Sequence, residues 1–182
     1  GAKVLLSSLG SSDDDLHIES KKDGSLVSDA DYASDKIITE ILSPLGIPIL
    51  SEESAIPSFK ERKDWPYYFL IDPLDGTESF LKNRSGFAVN IALCDSTGPI
   101  IGVVADPLSN IIYSGVLSKG FSICQLDGTC LKTIQPTPIQ KPYRLLTSWV
   151  EKEGVEALLP PGILAKDVIL RPVSGALKFC KL

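Results

Sequence analysis

Between residues 67 and 124 the chain is a succession of short apolar runs, at 67–71, 87–94, 100–105, 111–117 and 121–124. Each is rich in β-branched or aromatic residues and too brief for a globular helix. Asp95-Ser96-Thr97-Gly98, residues 107–110 and residues 118–120 separate them with turn chemistry. That spacing predicts an antiparallel meander. With 43% hydrophobic residues in 182, the chain can bury a core around such a sheet.

Helical periodicity flanks the meander on its N-terminal side. Over residues 28–45 the apolar positions Ala33, Ile37, Ile38, Ile41, Leu42 and Leu45 recur three to five apart, which predicts one buried helical face. Ser28 is placed to cap this helix, with Asp31 three positions on in its first turn. Taken alone, Asp31 reads as a charge favoured by the helix dipole. Pro44 and Gly46 should end the helix, and residues 47–50 then read as a short strand that delivers Ser51-Glu52-Glu53 to its end. Only a short helix, residues 78–82, fits between the first two strands of the meander.

Pro136, Pro138 and Pro142 form a stiff connector, after which strand (143–147), helix (148–159) and strand (167–170) alternate. Ser174-Gly175 would cap one more helix. The fold class is therefore α+β, a layered α/β sandwich with N-terminal helices on an antiparallel sheet. Residues 1–140 are expected to form one domain and residues 141–182 the start of a second α/β layer. The chain starts at Gly1, contains no methionine and stops inside a helical pattern, so it is expected to be part of a longer protein.

Charge excludes several functions. Lys and Arg number 18 against 23 Asp and Glu, and no basic run tracks a polyanion, so no nucleic-acid polymer is expected as partner. No apolar stretch reaches the roughly 20 residues that span a bilayer, so no membrane association is expected and the cytoplasm is the expected location. Cys94, Cys124, Cys130 and Cys180 have neither CxxC spacing nor histidine companions, which argues against zinc. A two-residue turn at Asp127-Gly128 would set Cys130 opposite Gln125, leaving reduced, structural thiols. His17 reads as a surface residue, and Lys178 could face either water or an anion.

Asp72-Pro73-Leu74-Asp75-Gly76-Thr77 ends an apolar strand, twenty positions beyond Glu52-Glu53. Two carboxylates around a rigid proline, with a glutamate from a second strand end, offer the hard oxygen donors that Mg2+ requires. Gly76 permits close approach of backbone to a ligand, and the amides of Gly76 and Thr77 can donate to phosphate oxygens. Leu126-Asp127-Gly128-Thr129 repeats part of the string but lacks the preceding Asp-Pro and lies between two strand-like runs. It reads as a plain turn.

The run Asp72 to Phe80 resembles the first signature of the inositol monophosphatase superfamily of Mg2+-dependent, lithium-sensitive phosphatases. Glu52-Glu53-Ser54 and Val27 to Asp31 match two further elements of that family. Residues 87–93, 102–104 and 174–180 look most like its bacterial-type 3'(2'),5'-bisphosphate nucleotidases. The resemblance implies that Glu52, Asp72 and Asp75 bind Mg2+ through side chains and Leu74 through its carbonyl. It further implies that Asp31, Thr77 and Glu52 are catalytic, and that Asp75, Gly76 and Thr77 hold the substrate phosphate. The implied partner is a small-molecule phosphate ester, first of all adenosine 3',5'-bisphosphate, hydrolysed to AMP by a metal-activated water. Inositol phosphates and fructose bisphosphate are the alternative substrates, and a homodimer is compatible with the resemblance. The family's second signature, Trp-Asp-x-Ala, has no match in this sequence. A truncated, non-catalytic metal- or phosphate-binding regulatory protein is the alternative of another class.

Overall fold

The computed structural model describes residues 1–9, 17–21, 26–83, 86–134, 143–147, 159, 161–172 and 175–180. The expected proline connector and the body of the helix expected at 148–159 lie outside the described residues. The first elements are helix α1 (Ala2–Ser8), a small antiparallel pair β1 (Ile18–Ser20) and β2 (Leu26–Ser28), and helix α2 (Asp29–Leu42). After β3 (Ile49–Ser51) and the one-turn helix α3 (Phe59–Arg62) comes β4 (Tyr68–Asp75), followed by α4 (Thr77–Asn83). The chain continues through β5 (Ala88–Asp95), β6 (Gly98–Asp106), β7 (Ile111–Val116), β8 (Gly120–Gln125) and β9 (Cys130–Ile134). Last come β10 (Tyr143–Thr147), β11 (Val168–Pro172) and α5 (Leu177–Cys180).

Strands β3 to β9 form one seven-stranded sheet in chain order. From β4 onward every neighbour is antiparallel, so the meander is present as the sequence implied, whereas β3 joins parallel to β4. Strands β10 and β11 pair in parallel as a separate sheet. This is the α+β architecture expected from the patterning.

One face of the large sheet is covered by α1, α2 and α4. Phe69, Ile71 and Val89 meet Leu5, Ile38 and Phe80 in a single apolar core. Phe80 and Phe87, at 0% and 1% exposure, pack edge to face with ring centroids 5.0 Å apart. That arrangement suits the aromatic quadrupole and fixes α4 against the start of β5.

Helix α2 meets expectation only in part. Of its assigned face Ile38 is buried and Leu42 packs against the core, but Ile41 and Leu45 are 68% and 60% exposed, and Ala30, Asp31 and Ser34 are buried instead. The helix is rotated because its small polar residues have partners below. Ser34 Oγ donates to the Pro73 carbonyl at 2.8 Å, and Ser51 Oγ donates to Asp35. Buried hydroxyls that find such acceptors are tolerated where lone ones are not.

The β8–β9 hairpin corrects a second expectation. Its loop has three residues, Leu126, Asp127 and Gly128, with Gly128 at φ +92° and bonds from Gly128 N to Gln125 O (2.9 Å) and from Gln125 N to Thr129 O (2.8 Å). A turn ending in a left-handed glycine adds one residue to the loop. The register therefore slips by one, and Cys130 faces Cys124 rather than Gln125. Cys94, Cys124 and Cys130 are free thiols. The second LDGT string is thus a hairpin turn, as its context implied.

Replacing Phe80 by Ala should destabilise the fold by about 3–5 kcal/mol, the usual cost of emptying a large aromatic site. Urea unfolding followed by circular dichroism should show a lower midpoint at unchanged slope.

Candidate active site

Strand β4 pairs regularly with β5 down to Asp72 opposite Asn90, then resumes at Asp75 opposite Ala88, so β4 carries one extra residue in between. Proline has no N–H for the ladder, which favours such an irregularity at Pro73. Its geometric effect is decisive. In a regular strand residues three apart face opposite sides, yet Asp72 and Asp75 line the same cavity here. The bulge turns two carboxylates toward one place.

Glu52 reaches that place through β3. Its N–H donates to the Ile71 carbonyl at 3.0 Å, which sets it beside Asp72. Glu52, Asp72, Leu74, Asp75, Gly76 and Thr77, with Leu26 and Glu78, line a cavity of about 490 Å³. At its rim Gly76 turns the chain at φ +90°, a conformation that favours glycine, and releases Thr77 into α4.

Asp31 joins from α2, 1% exposed. Its Oδ2 accepts from the Ser28 N–H (2.8 Å) and hydroxyl (2.6 Å), and its Oδ1 lies 2.9 Å from Thr77 Oγ1. Thr77 Oγ1 also lies 3.2 Å from the Leu74 carbonyl. The cap predicted at Ser28 is present, and Asp31 serves both helix and site.

The cluster gathers several carboxylates around a neighbouring cation, Lys21. Burial first, then the nearby Asp75 and Glu52 carboxylates, push Asp72 up to about 7, although Asn90 and the Leu74 amide donate to it. Burial also raises Asp31, outweighing its hydrogen bonds from Ser28 and Thr77. Glu53 is raised by burial against the pull of Lys21. Lys21 Nζ lies 2.9 Å from Glu52 and 2.8 Å from Glu53. Burial works against the Lys21 charge, but its bonds to Glu53 and Glu52 prevail and raise its affinity for the proton.

Sequence reasoning missed several of these partners. Asn90 Nδ2 stands 3.4 Å from Asp72 Oδ2, and the Ala176 N–H donates to Asp75 Oδ2 at 2.6 Å from a hundred residues downstream. Asn90 could be found only from the strand register, and Lys21 gives no local signal at all. Ala176 falls in the stretch that carried the family resemblance, without a role attached to it.

Among the described residues no three acidic, imidazole or thiol groups close into a ready-made metal cage. The donors nevertheless fit a hard divalent cation: all are oxygens, they share one cavity, and burial together with the Asp75 and Glu52 carboxylates raises Asp72 above its ordinary range.

Known proteins similar to this chain identify its family. The family model described as the inositol monophosphatase family matches residues 1–157, and the chain belongs to that family. A 3'(2'),5'-bisphosphate nucleotidase CysQ of Haemophilus influenzae is 34% identical over 158 residues, 85% of this chain and 59% of the relative. The chain thus spans less than two thirds of that protein's length. The crystal structure of CysQ from Bacteroides thetaiotaomicron, a bacterial member of the same family, superposes with a TM-score of 0.77 at 23% identity, covering 98% of this chain and 70% of that one. A structure of an inositol monophosphatase/NADP phosphatase complexed with Mg2+ and phosphate gives a TM-score of 0.68 at 16% identity, over 98% of this chain and 64% of the other. No helix among the described residues is long and apolar enough to cross a membrane.

Asp72 makes the metal-free protein pH-sensitive. Between its ordinary value of 3.8 and about 7 the unfolded chain ionises Asp72 while the folded protein keeps the proton. The folded state binds more protons there, so stability falls as pH rises through that window. Thermal melting in chelator should give a lower Tm at pH 8 than at pH 5.5. Asp72→Asn should remove much of the difference, about 2 kcal/mol.

Proposed function

We propose that this protein is a Mg2+-dependent phosphomonoesterase acting on a small phosphate ester, with adenosine 3',5'-bisphosphate losing its 3'-phosphate as the first candidate reaction. The observation that carries the reading is one cavity lined by Glu52, Asp72, Asp75 and Thr77, with Asp31 bonded behind Thr77. The nucleotidase CysQ of Haemophilus influenzae supports the substrate class. The Mg2+ held by the inositol monophosphatase/NADP phosphatase supports the metal.

In this reading the Glu52, Asp72 and Asp75 carboxylates and the Leu74 carbonyl hold the cation. When bound, it supplies positive charge that acidifies a nearby water and neutralises charge developing on the ester oxygens. The protein's own residues do the rest. Thr77 donates its hydroxyl proton to Asp31 Oδ1, which turns its lone pairs toward an incoming water. Thr77 can then take the water's proton as it passes its own to Asp31. Burial of Asp31 raises its basicity, which suits an acceptor. The amides of Gly76 and Thr77 donate to the phosphate. Free thiols at Cys94, Cys124 and Cys130 suit a reducing compartment, and the cytoplasm is the proposed setting.

Phosphate release with Mg2+ should be fastest on adenosine 3',5'-bisphosphate when it is compared side by side with inositol 1-phosphate and fructose 1,6-bisphosphate. Asp72→Asn and Thr77→Ala should each lower kcat by at least about a hundredfold, as loss of a charge-stabilising or proton-moving group does. Mg2+ binding by calorimetry without release from any ester would instead identify a non-catalytic binding protein.

A further inference from the structure

Cys124 and Cys130 occupy directly opposed positions on β8 and β9, the outermost pair of the large sheet. Opposed residues of an antiparallel ladder point to the same face, with Cα atoms about 4.5 or 5.5 Å apart. Both separations fall within the range of about 4.4–6.8 Å that a disulfide bridges. The Cys130 thiol donates to the Ile123 carbonyl at 3.9 Å, and its proximity raises the Cys124 thiol above the ordinary range. We propose that Cys124 and Cys130 are a redox-active dithiol, converted to an intramolecular disulfide by exchange with a small-molecule disulfide such as oxidised glutathione.

Access orders the steps. Cys130 is exposed and Cys124 partly so, while Cys94 is buried at 1% exposure in the core. Cys130, the more exposed thiol, therefore meets the oxidant first. The Cys130 thiolate forms a bond to one glutathione sulfur, and the S–S bond of the oxidant breaks to release one glutathione thiolate. The Cys124 thiol then loses its proton and attacks Cys130 Sγ, expelling the second glutathione. Two protein thiols are oxidised, one disulfide is reduced, and two protons are released to the expelled thiolates.

The register that makes this geometry comes from the three-residue loop with Gly128 at φ +92° and from the irregularity between Ile123 and Cys124. A two-residue loop would have separated the pair. Three strands, β5 to β7, lie between this hairpin and β4, so the dithiol is distinct from the acidic cavity.

Trypsin places both cysteines in one fragment, residues 120–132, between Lys119 and Lys132. Folded protein treated with excess oxidised glutathione, alkylated with iodoacetamide, denatured and digested should yield this fragment two hydrogens lighter and unalkylated. Cys130→Ser should instead trap a stable glutathione adduct on Cys124 or leave it alkylated. In denaturant the preference for this one pairing among the four cysteines should be lost. Recovery of the native fragment with two alkyl groups or with glutathione adducts, or disulfides joining Cys94 or Cys180 instead, would overturn the proposal.

Discussion

The site depends on a buried polar seam between α2 and the end of β4. Asp31, almost wholly enclosed, collects the Ser28 amide and hydroxyl and the Thr77 hydroxyl, while Ser34 one turn further donates to the Pro73 carbonyl. An unmade hydrogen bond in such surroundings costs about 1–3 kcal/mol, so the helix can sit in one rotational setting only. That setting fixes three things together: the cap of α2, the bulge in β4 and the first residue of α4. The acidic cavity is positioned by helix packing rather than by loop chemistry, which makes it rigid.

The same seam explains what the sequence could and could not reveal. Short β-branched runs between turn residues are a local signal, and the meander followed from them. The buried face of α2 did not, because periodicity rewards Ile41 and Leu45, whereas burial went to Asp31 and Ser34. Their partners, Thr77 and Pro73, lie some forty residues away, and no local pattern announces them. Asp72, Asp75 and Glu52 were legible as oxygen donors, and the cavity does bring them together. The bulge that lets Asp72 and Asp75 face one way was not, since it exists only relative to β5. Lys21 and Ala176 reach the cluster from remote stretches by tertiary packing alone.

Hairpin register shows how small a miss can matter. Both a two-residue and a three-residue loop are compatible with Asp127-Gly128, and the choice between them decides which residue faces Cys130. Turn propensity identifies that a turn occurs; hydrogen bonding of the flanking strands decides its length. At Gln125 and Thr129 the closing bond selects the longer loop, and the thiols meet as a consequence.

The two LDGT strings offer an internal comparison that separates chemistry from spelling. At Asp127 the carboxylate is exposed and accepts the Thr129 amide at 2.8 Å, which holds it below the ordinary carboxylate range. It is satisfied where it stands. Its counterpart Asp75 lines the acidic cavity with Glu52 and Asp72 and accepts the Ala176 N–H at 2.6 Å, and there burial, then Asp75 and Glu52 themselves, push the neighbouring Asp72 up to about 7. A folded chain that keeps such an electrostatic cost in one cavity gains most from a ligand of opposite charge. The turn aspartate is satisfied by its own loop, while the strand aspartates crowd one cavity with like charge. Burial and neighbours, not the four shared letters, therefore distinguish a turn from a site.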